Sequence, residues 1–425
     1  MSYDRLEPPS ILAVMELLGA THRQKQLSVL GASTLAFTIC FAVWVMFSII
    51  GIPIKERLGL SETEFGLLAA LPILTGSLIR LPLGMLTDKL GGRIVFSVLM
   101  LLCIAPLWMI TYATEYWQFL VLGLFVGLAG GSFSVGISYC ARWFEKSKQG
   151  FAMGIFGAGN AGAALTKFVA PSIVLAFGWQ MVPRVYAIGL AVTTLLFILL
   201  THSDPAHKVS KGVTIKAQLA ALKDIRVWEY SQHYAIVFGG YVALSLWMTK
   251  YYINEYGFGI ATAALIATIF VLPSGMLRAV GGWLSDRFGA KAVTSAIIWV
   301  SWVCLLLLSI PKLLHWTVFT ALLFVVGLMW AFGKASVFKH IADDYPDQIG
   351  VISGIVGLVG GLGGFVFPIL FGVLVDLTGV RSSAFMLLFV VTSISVVWLH
   401  LGERKRRRAL VPARSEEPCL QAQTY

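Results

Sequence analysis

A chain that carries a dozen apolar runs, each about twenty residues long, has very few folds open to it. In hydrocarbon every backbone N–H and C=O must be satisfied within the protein, so such runs become spanning helices. Here they begin near Ser28, Glu62, Gly92, Tyr116, Lys148, Trp179, Glu229, Gly259, Ala290, Leu313, Gln348 and Val380. A transmembrane β-barrel is excluded, because barrel strands alternate apolar and polar residues. Composition agrees: of 425 residues 58% are hydrophobic and only 12% are charged, about half the soluble norm. The expected fold is an all-α membrane protein with 12 transmembrane helices.

The longest polar connection runs from about Thr201 to Trp228 and divides the chain into six and six. The expected parts are an N-terminal segment (1–27), a six-helix half (28–201), a central loop (202–228), a second six-helix half (229–401) and a basic tail (402–425). Of the 32 Lys and Arg, 22 fall on the side of the termini and six on the opposite side, namely Lys55, Arg57, Arg184, Lys250, Lys312 and Arg381. The positive-inside rule then predicts a multi-pass cell-membrane protein with both termini and the central loop in the cytoplasm. The formal charge of +11 is accounted for in this way, without a nucleic-acid partner. The run Arg404–Arg408 reads as a stop anchor against anionic membrane lipid. The polar first 27 residues, followed by an apolar run too long for an h-region, predict no signal peptide. The five Cys form no CxxC or Cys/His spacing, so neither a metal site nor a disulfide framework is expected. No cofactor motif and no nucleophile–base pair is found, which argues against an enzyme.

The halves repeat. Ile79–Arg93 has a twin in Leu277–Lys291 at a constant offset of 198 residues, and each copy reads G-x-x-x-D-x-x-G-x-[RK]. Asp88, Arg93, Asp286 and Lys291 are the charged members of these loops. The Gly permits close helix contact, and the Asp can pair with a basic residue or a helix N-terminus. A second pair follows at offset 200, with Gly150, Gly154 and Gly157 matching Gly350, Gly354 and Gly357. Two six-helix halves repeated in parallel, with this loop in both, resemble the major facilitator superfamily. That resemblance implies the major facilitator fold, with a substrate site near mid-membrane between the halves.

Four basic residues fit neither face: Arg80, Lys167, Arg278 and Lys334. Every acidic residue falls in a loop, a tail or the end of a span, so this interior charge has no predicted counter-charge. An ionisable residue inside the membrane is expensive and by default a functional candidate. Arg80 and Arg278 each sit 8 residues before their loop Asp. That places both about 12 Å from the boundary, at equivalent depths in equivalent helices. Two guanidinium groups facing each other repel unless an anion comes between them. The guanidinium fork suits a planar oxyanion, to which it donates two parallel hydrogen bonds.

Span 5 contains Gly157-Ala158-Gly159-Asn160-Ala161-Gly162, and span 11 contains Gly357 followed by Gly360, Gly361 and Gly364. Small residues at these spacings suit close helix packing, whereas the mid-span Asn160 amide can donate to an oxyanion. These stretches resemble the two signatures of the nitrate/nitrite porter family, a branch of the major facilitators. The resemblance implies that Arg80 and Arg278 bind nitrate from both sides. It implies a contact by Asn160 and an aromatic stack by Phe133, where Ser132 replaces the Asn common in the family. Tyr241, after Phe238-Gly239-Gly240, is a further candidate of the same kind.

Lys167 and Lys334 are the candidates for proton coupling, because a buried Lys exchanges protons readily. Moving one anion inward against an inside-negative potential costs about 2.3 kcal/mol per 100 mV. One proton only cancels that charge, so uphill import needs two, whereas nitrate/nitrite exchange needs none. The Lys-containing spans resemble the proton-coupled branch. The expectation is therefore nitrate/proton symport by a monomer, with nitrate/nitrite antiport as the alternative.

Overall fold

The computed structural model describes residues 22–145, 149–203, 221–311, 314–345 and 349–410. Residues 1–21, the stretch 204–220 of the central loop and residues 411–425 of the tail lie outside the described residues. Among the described residues there is no strand. Among the described residues nine helices are long and apolar enough to cross a membrane, two bent pairs bring the number to eleven, and residues 225–256 are counted as the twelfth span. Span 1 is His22–Leu58, span 3 Gly92–Ile110, span 4 Tyr116–Trp143, span 6 Met181–Leu200, span 9 Ala290–Ser309 and span 10 Trp316–Asp344. Span 5 runs to Phe177 from Gln149, span 11 is Ile349–Thr378 and span 12 Ser383–Leu410.

Three spans are not simple rods. Span 2 is Glu62–Leu78 followed by Arg80–Leu90 at a 41° bend, and span 8 is Ile260–Met276 followed by Arg278–Phe288 at 50°. Pro82 lies just past the first bend and Pro273 just before the second. A proline removes one ladder bond and clashes with the carbonyl four residues back. Span 7 is Ile225–Tyr234 and Tyr241–Tyr256, joined by a π turn over Ala235–Gly240. Spans 4 and 5 each contain a 3₁₀ segment, Gly127–Gly131 and Ala158–Ala161. Loosened backbone of this kind inside a membrane is tolerated only where protein or a cavity satisfies it.

The halves meet where span 2 packs on span 11 and span 5 on span 8. The seam is tightest away from the termini. A Cβ on Gly66 would come within 3.0 Å of the carbonyl carbon of Pro368, so only a glycine lets spans 2 and 11 approach this closely. At the far end Asp376 of span 11 accepts from the backbone N–H of Glu62 and Thr63, at 3.0 and 2.8 Å. It thereby caps the first turn of a helix in the other half, a turn that Ser61 and Glu64 already close as a capping box. Toward the termini spans 2 and 11 part, while the inner segment of span 8 stays against span 5, with Ala279 Cβ 3.5 Å from where a Cβ on Gly154 would stand. Past its bend Arg80–Leu90 packs on spans 3 and 4 of its own half, and Gly84 and Gly357 face open space.

A candidate anion site between two arginines

Arg80 and Arg278 are the first residues after the two bends, so the bends aim both side chains at the axis between the halves. Phe133, at the start of the helical segment that follows the 3₁₀ turn of span 4, stands between them. The Arg80 guanidinium carbon lies 5.5 Å from the centre of its ring and that of Arg278 lies 5.8 Å from it. Each cation has further rings: Trp44 and Phe238 lie at 5.6 and 5.2 Å from Arg80, and Phe338 at 5.3 Å from Arg278. Aromatic faces stabilise a desolvated cation by about 0.5–2 kcal/mol each without neutralising it.

Hydrogen bonding leaves the clamp largely uncommitted. Arg80 Nη1 reaches the carbonyl of Gly357 at a long 3.5 Å, and Arg80 Nε is buried without a partner. Neither arginine has an ion-pair partner among the described residues. A buried donor without an acceptor is unfavourable, and a converging pair of such forks is matched by an oxyanion.

The two signature glycines nearest the arginines occupy related places. Gly157 packs with the Arg278 side chain 3.8 Å from where its Cβ would stand, and Gly357 offers its carbonyl to Arg80. The other five serve packing. Gly159 and Gly162 seat span 5 on Phe37 and on the backbone of Thr38 in span 1, Gly360 lies on Tyr234, and Gly361 and Gly364 meet Ser77 and Ile73 of span 2.

Asn160 is buried in the 3₁₀ turn of span 5, and its backbone carbonyl accepts from Tyr241 Oη at 3.3 Å. Tyr241 opens the helix after the π turn of span 7, and its ring carries Lys334 Nζ at 3.3 Å from its centre. Lys334 also donates to the Ser274 carbonyl at 2.7 Å and its hydroxyl at 3.3 Å. One layer thus links spans 5, 7, 8 and 10 across both halves. Lys167 does not join it. Two helical turns beyond Asn160, it donates to Thr249 Oγ1 of span 7 at 3.0 Å, inside the far seam.

The loop residues act within their own halves. Asp88 pairs with Arg142 of span 4 at 2.5 Å, and Arg93 donates to the carbonyl of Ile198 in span 6 at 2.8 Å. Asp286 lies 3.6 Å from Lys339 of span 10, while Lys291 sits in the first turn of span 9.

Sequence reasoning missed Trp44, Phe238 and Phe338, because aromatic residues are common on membrane helices and no spacing marks these three. It also counted Lys250 with the far-side surface charges. Lys250 lies inside span 7, is 4% exposed, and pairs with Glu62 of span 2.

The family model of the Major Facilitator Superfamily matches residues 32–368 and, in a second match, 251–422. The chain belongs to that superfamily. Among its curated relatives is the "Probable nitrate/nitrite antiporter NarK1" of Thermus thermophilus, 38% identical over 89% of this chain and 92% of the relative. The "Nitrite extrusion protein" of Bacillus subtilis (strain 168) is 32% identical over 89% and 95%. A "Probable nitrate transporter NarT" of Staphylococcus carnosus (strain TM300) is 30% identical over 89% and 97%. Among solved structures, a bacterial homologue of the human lysosomal transporter Spinster, inward-facing and occupied, superposes with a TM-score of 0.71 at 14% identity. That match covers 89% of this chain and 97% of the other. Members of this superfamily are transporters, and the multi-pass arrangement follows with the fold.

Proposed function

We propose that this protein imports nitrate across the cytoplasmic membrane by alternating access, coupled to protons. The observation that carries the reading is the pair Arg80 and Arg278 against the ring of Phe133, half-buried and without a carboxylate partner among the described residues. A planar oxyanion between them relieves their repulsion and accepts from both forks. Phe133 favours a flat ligand, since an ion lying parallel to the ring keeps both guanidinium stacks. The names carried by the three relatives support nitrate and nitrite as the transported ions.

With both termini in the cytoplasm, as the positive-inside distribution implies, the open side faces inward and the seam at Glu62 and Asp376 closes the outer side. Arg80 and Arg278 are then reached from the cytoplasm. Lys334 is the proton-coupling candidate nearest the anion layer. Lys167 bridges the halves, so its protonation bears on the seam. The protein functions as a monomer in this reading, and the basic tail holds to anionic lipid. Nitrate/nitrite exchange is the second reading, favoured by the name of the Thermus relative.

The test is uptake of labelled nitrate into proteoliposomes. Saturable uptake is expected, with nitrite competing and tetrahedral sulfate not. Uptake no greater than in protein-free vesicles would overturn the proposal.

A further inference from the structure

The far end of the seam holds a second cation aimed at the pathway. Lys250 is in span 7, nine residues and so about 13 Å outward from Tyr241. Its ammonium lies 4.3 Å from the ring of Phe65 and 4.7 Å from that of Trp247, and pairs with the Glu62 carboxylate. A small cleft open to the surface is lined there by Glu62, Trp247, Lys250, Asn254 and Arg381, among others. Lys55 stands 3.6 Å from Glu62, and Arg381 is held by Glu255 at 3.1 Å.

The two halves divide these groups unequally. Glu62, Phe65 and Lys55 belong to the first half, whereas Lys250, Trp247, Asp376, Glu255 and Arg381 belong to the second. When the seam opens, Glu62 leaves with span 2. Arg381 keeps Glu255, because both move together. Lys250 loses the carboxylate it pairs with, while it keeps the apolar wall of Trp247 and the charge of Asp376 in its own half. A cation in that position attracts a small anion, and a carboxylate and a nitrate present the same planar pair of oxygens.

We propose that Lys250 is the outer capture site for the transported anion, and that Glu62 occupies it as a stand-in carboxylate whenever the outer side is closed. This rests on the reading of the chain as a nitrate transporter. In the outward-open state the anion binds first at Lys250, then moves inward to Arg80 and Arg278. As the seam closes, Glu62 returns to Lys250 and prevents the anion from binding there again.

A simple latch and a capture site make different demands on the two partners. If the pair is only a latch, removing either partner has the same effect. If Glu62 competes with the anion for Lys250, the partners have opposite effects on affinity from outside. The experiment measures initial rates of nitrate transport in proteoliposomes of one orientation, with nitrate supplied outside or inside. Glu62→Gln is expected to lower the outer KM at least twofold, and Lys250→Gln to raise it at least fivefold. The inner KM should stay within twofold of the parent in both, since the arginine pair is untouched. Lys250→Arg should keep the parent's outer KM. The double variant, which leaves no charge unpaired, should resemble Lys250→Gln. Outer KM values that shift the same way in both single variants, or a double variant like the parent, would overturn the capture site. A parent protein that moves no nitrate would instead overturn the proposed function.

Discussion

Arg80 and Arg278 show how little of a side chain's role lies in its charge alone. Each is half-buried among rings, and the Arg80 Nε has no partner among the described residues. Lysine in either place would keep the charge and the cation–π attraction but could not donate two parallel hydrogen bonds. Arg80→Lys or Arg278→Lys is therefore expected to reduce nitrate transport at least about tenfold, equivalent to roughly 1.4 kcal/mol of lost binding. Nitrate binding to the purified variants, measured by calorimetry, should weaken by a similar factor. Parent-like binding in both would remove the two-arginine clamp. Phe133 is the complementary case, since a residue without charge fixes where the charged ones can stack.

Spans 2 and 8 do two tasks because each is broken in the middle. Their outer segments close the seam, and their inner segments, bent by 41° and 50°, carry the arginines. Closure depends on backbone proximity at Gly66, where a Cβ would lie 3.0 Å from the carbonyl carbon of Pro368. Gly66→Val cannot close this contact without pushing span 11 away, and overpacking of this kind costs about 1–3 kcal/mol. That shifts the balance toward the outward-open state by about tenfold. A cysteine substituted for the buried Ile73, which faces Gly364 across the seam, reports the change. Its labelling by a membrane-impermeant thiol reagent from outside should accelerate by about that factor in the Gly66→Val background. Unchanged labelling would mean that the seam tolerates the extra atoms.

Coupling is a property of the whole molecule, because it requires that one half sense what the other has bound. The proposed coupling rests on two of the buried amines, Lys167 and Lys334. Lys334 rests on Tyr241 and Ser274 beside the anion layer, and Lys167 joins the halves through Thr249. Nitrate uptake should rise with an inward proton gradient and collapse with an uncoupler, even when internal nitrite is supplied. Lys334→Gln or Lys167→Gln, whichever removes the proton site, should abolish the response to pH and leave nitrate binding largely intact. Full exchange of nitrate for nitrite without a gradient, in the parent and both variants, would decide for antiport.

The spans, the repeat and the four interior cations could be read directly from the order of residues, because they follow from strong local physics. Twenty apolar residues must form a helix in a membrane, an interior charge stands out against them, and two copies of one loop imply two copies of one half. Arg80, Arg278, Lys167 and Lys334 were visible for that reason. Which residues would touch them was not. Phe133, Phe238 and Phe338 meet the arginines because the breaks in spans 2 and 8 set where Arg80 and Arg278 stand, whereas other rings of the same helices, such as Phe65 and Phe270, are buried in packing elsewhere. Lys167 and Lys334 looked equivalent along the chain but lie in different layers, since a helix fixes spacing along its axis and not its neighbours. Lys250 was counted at the surface because it stands near the end of an apolar run. Only the approach of span 2, allowed by Gly66 and held by Asp376, encloses it and brings Glu62 to its ammonium.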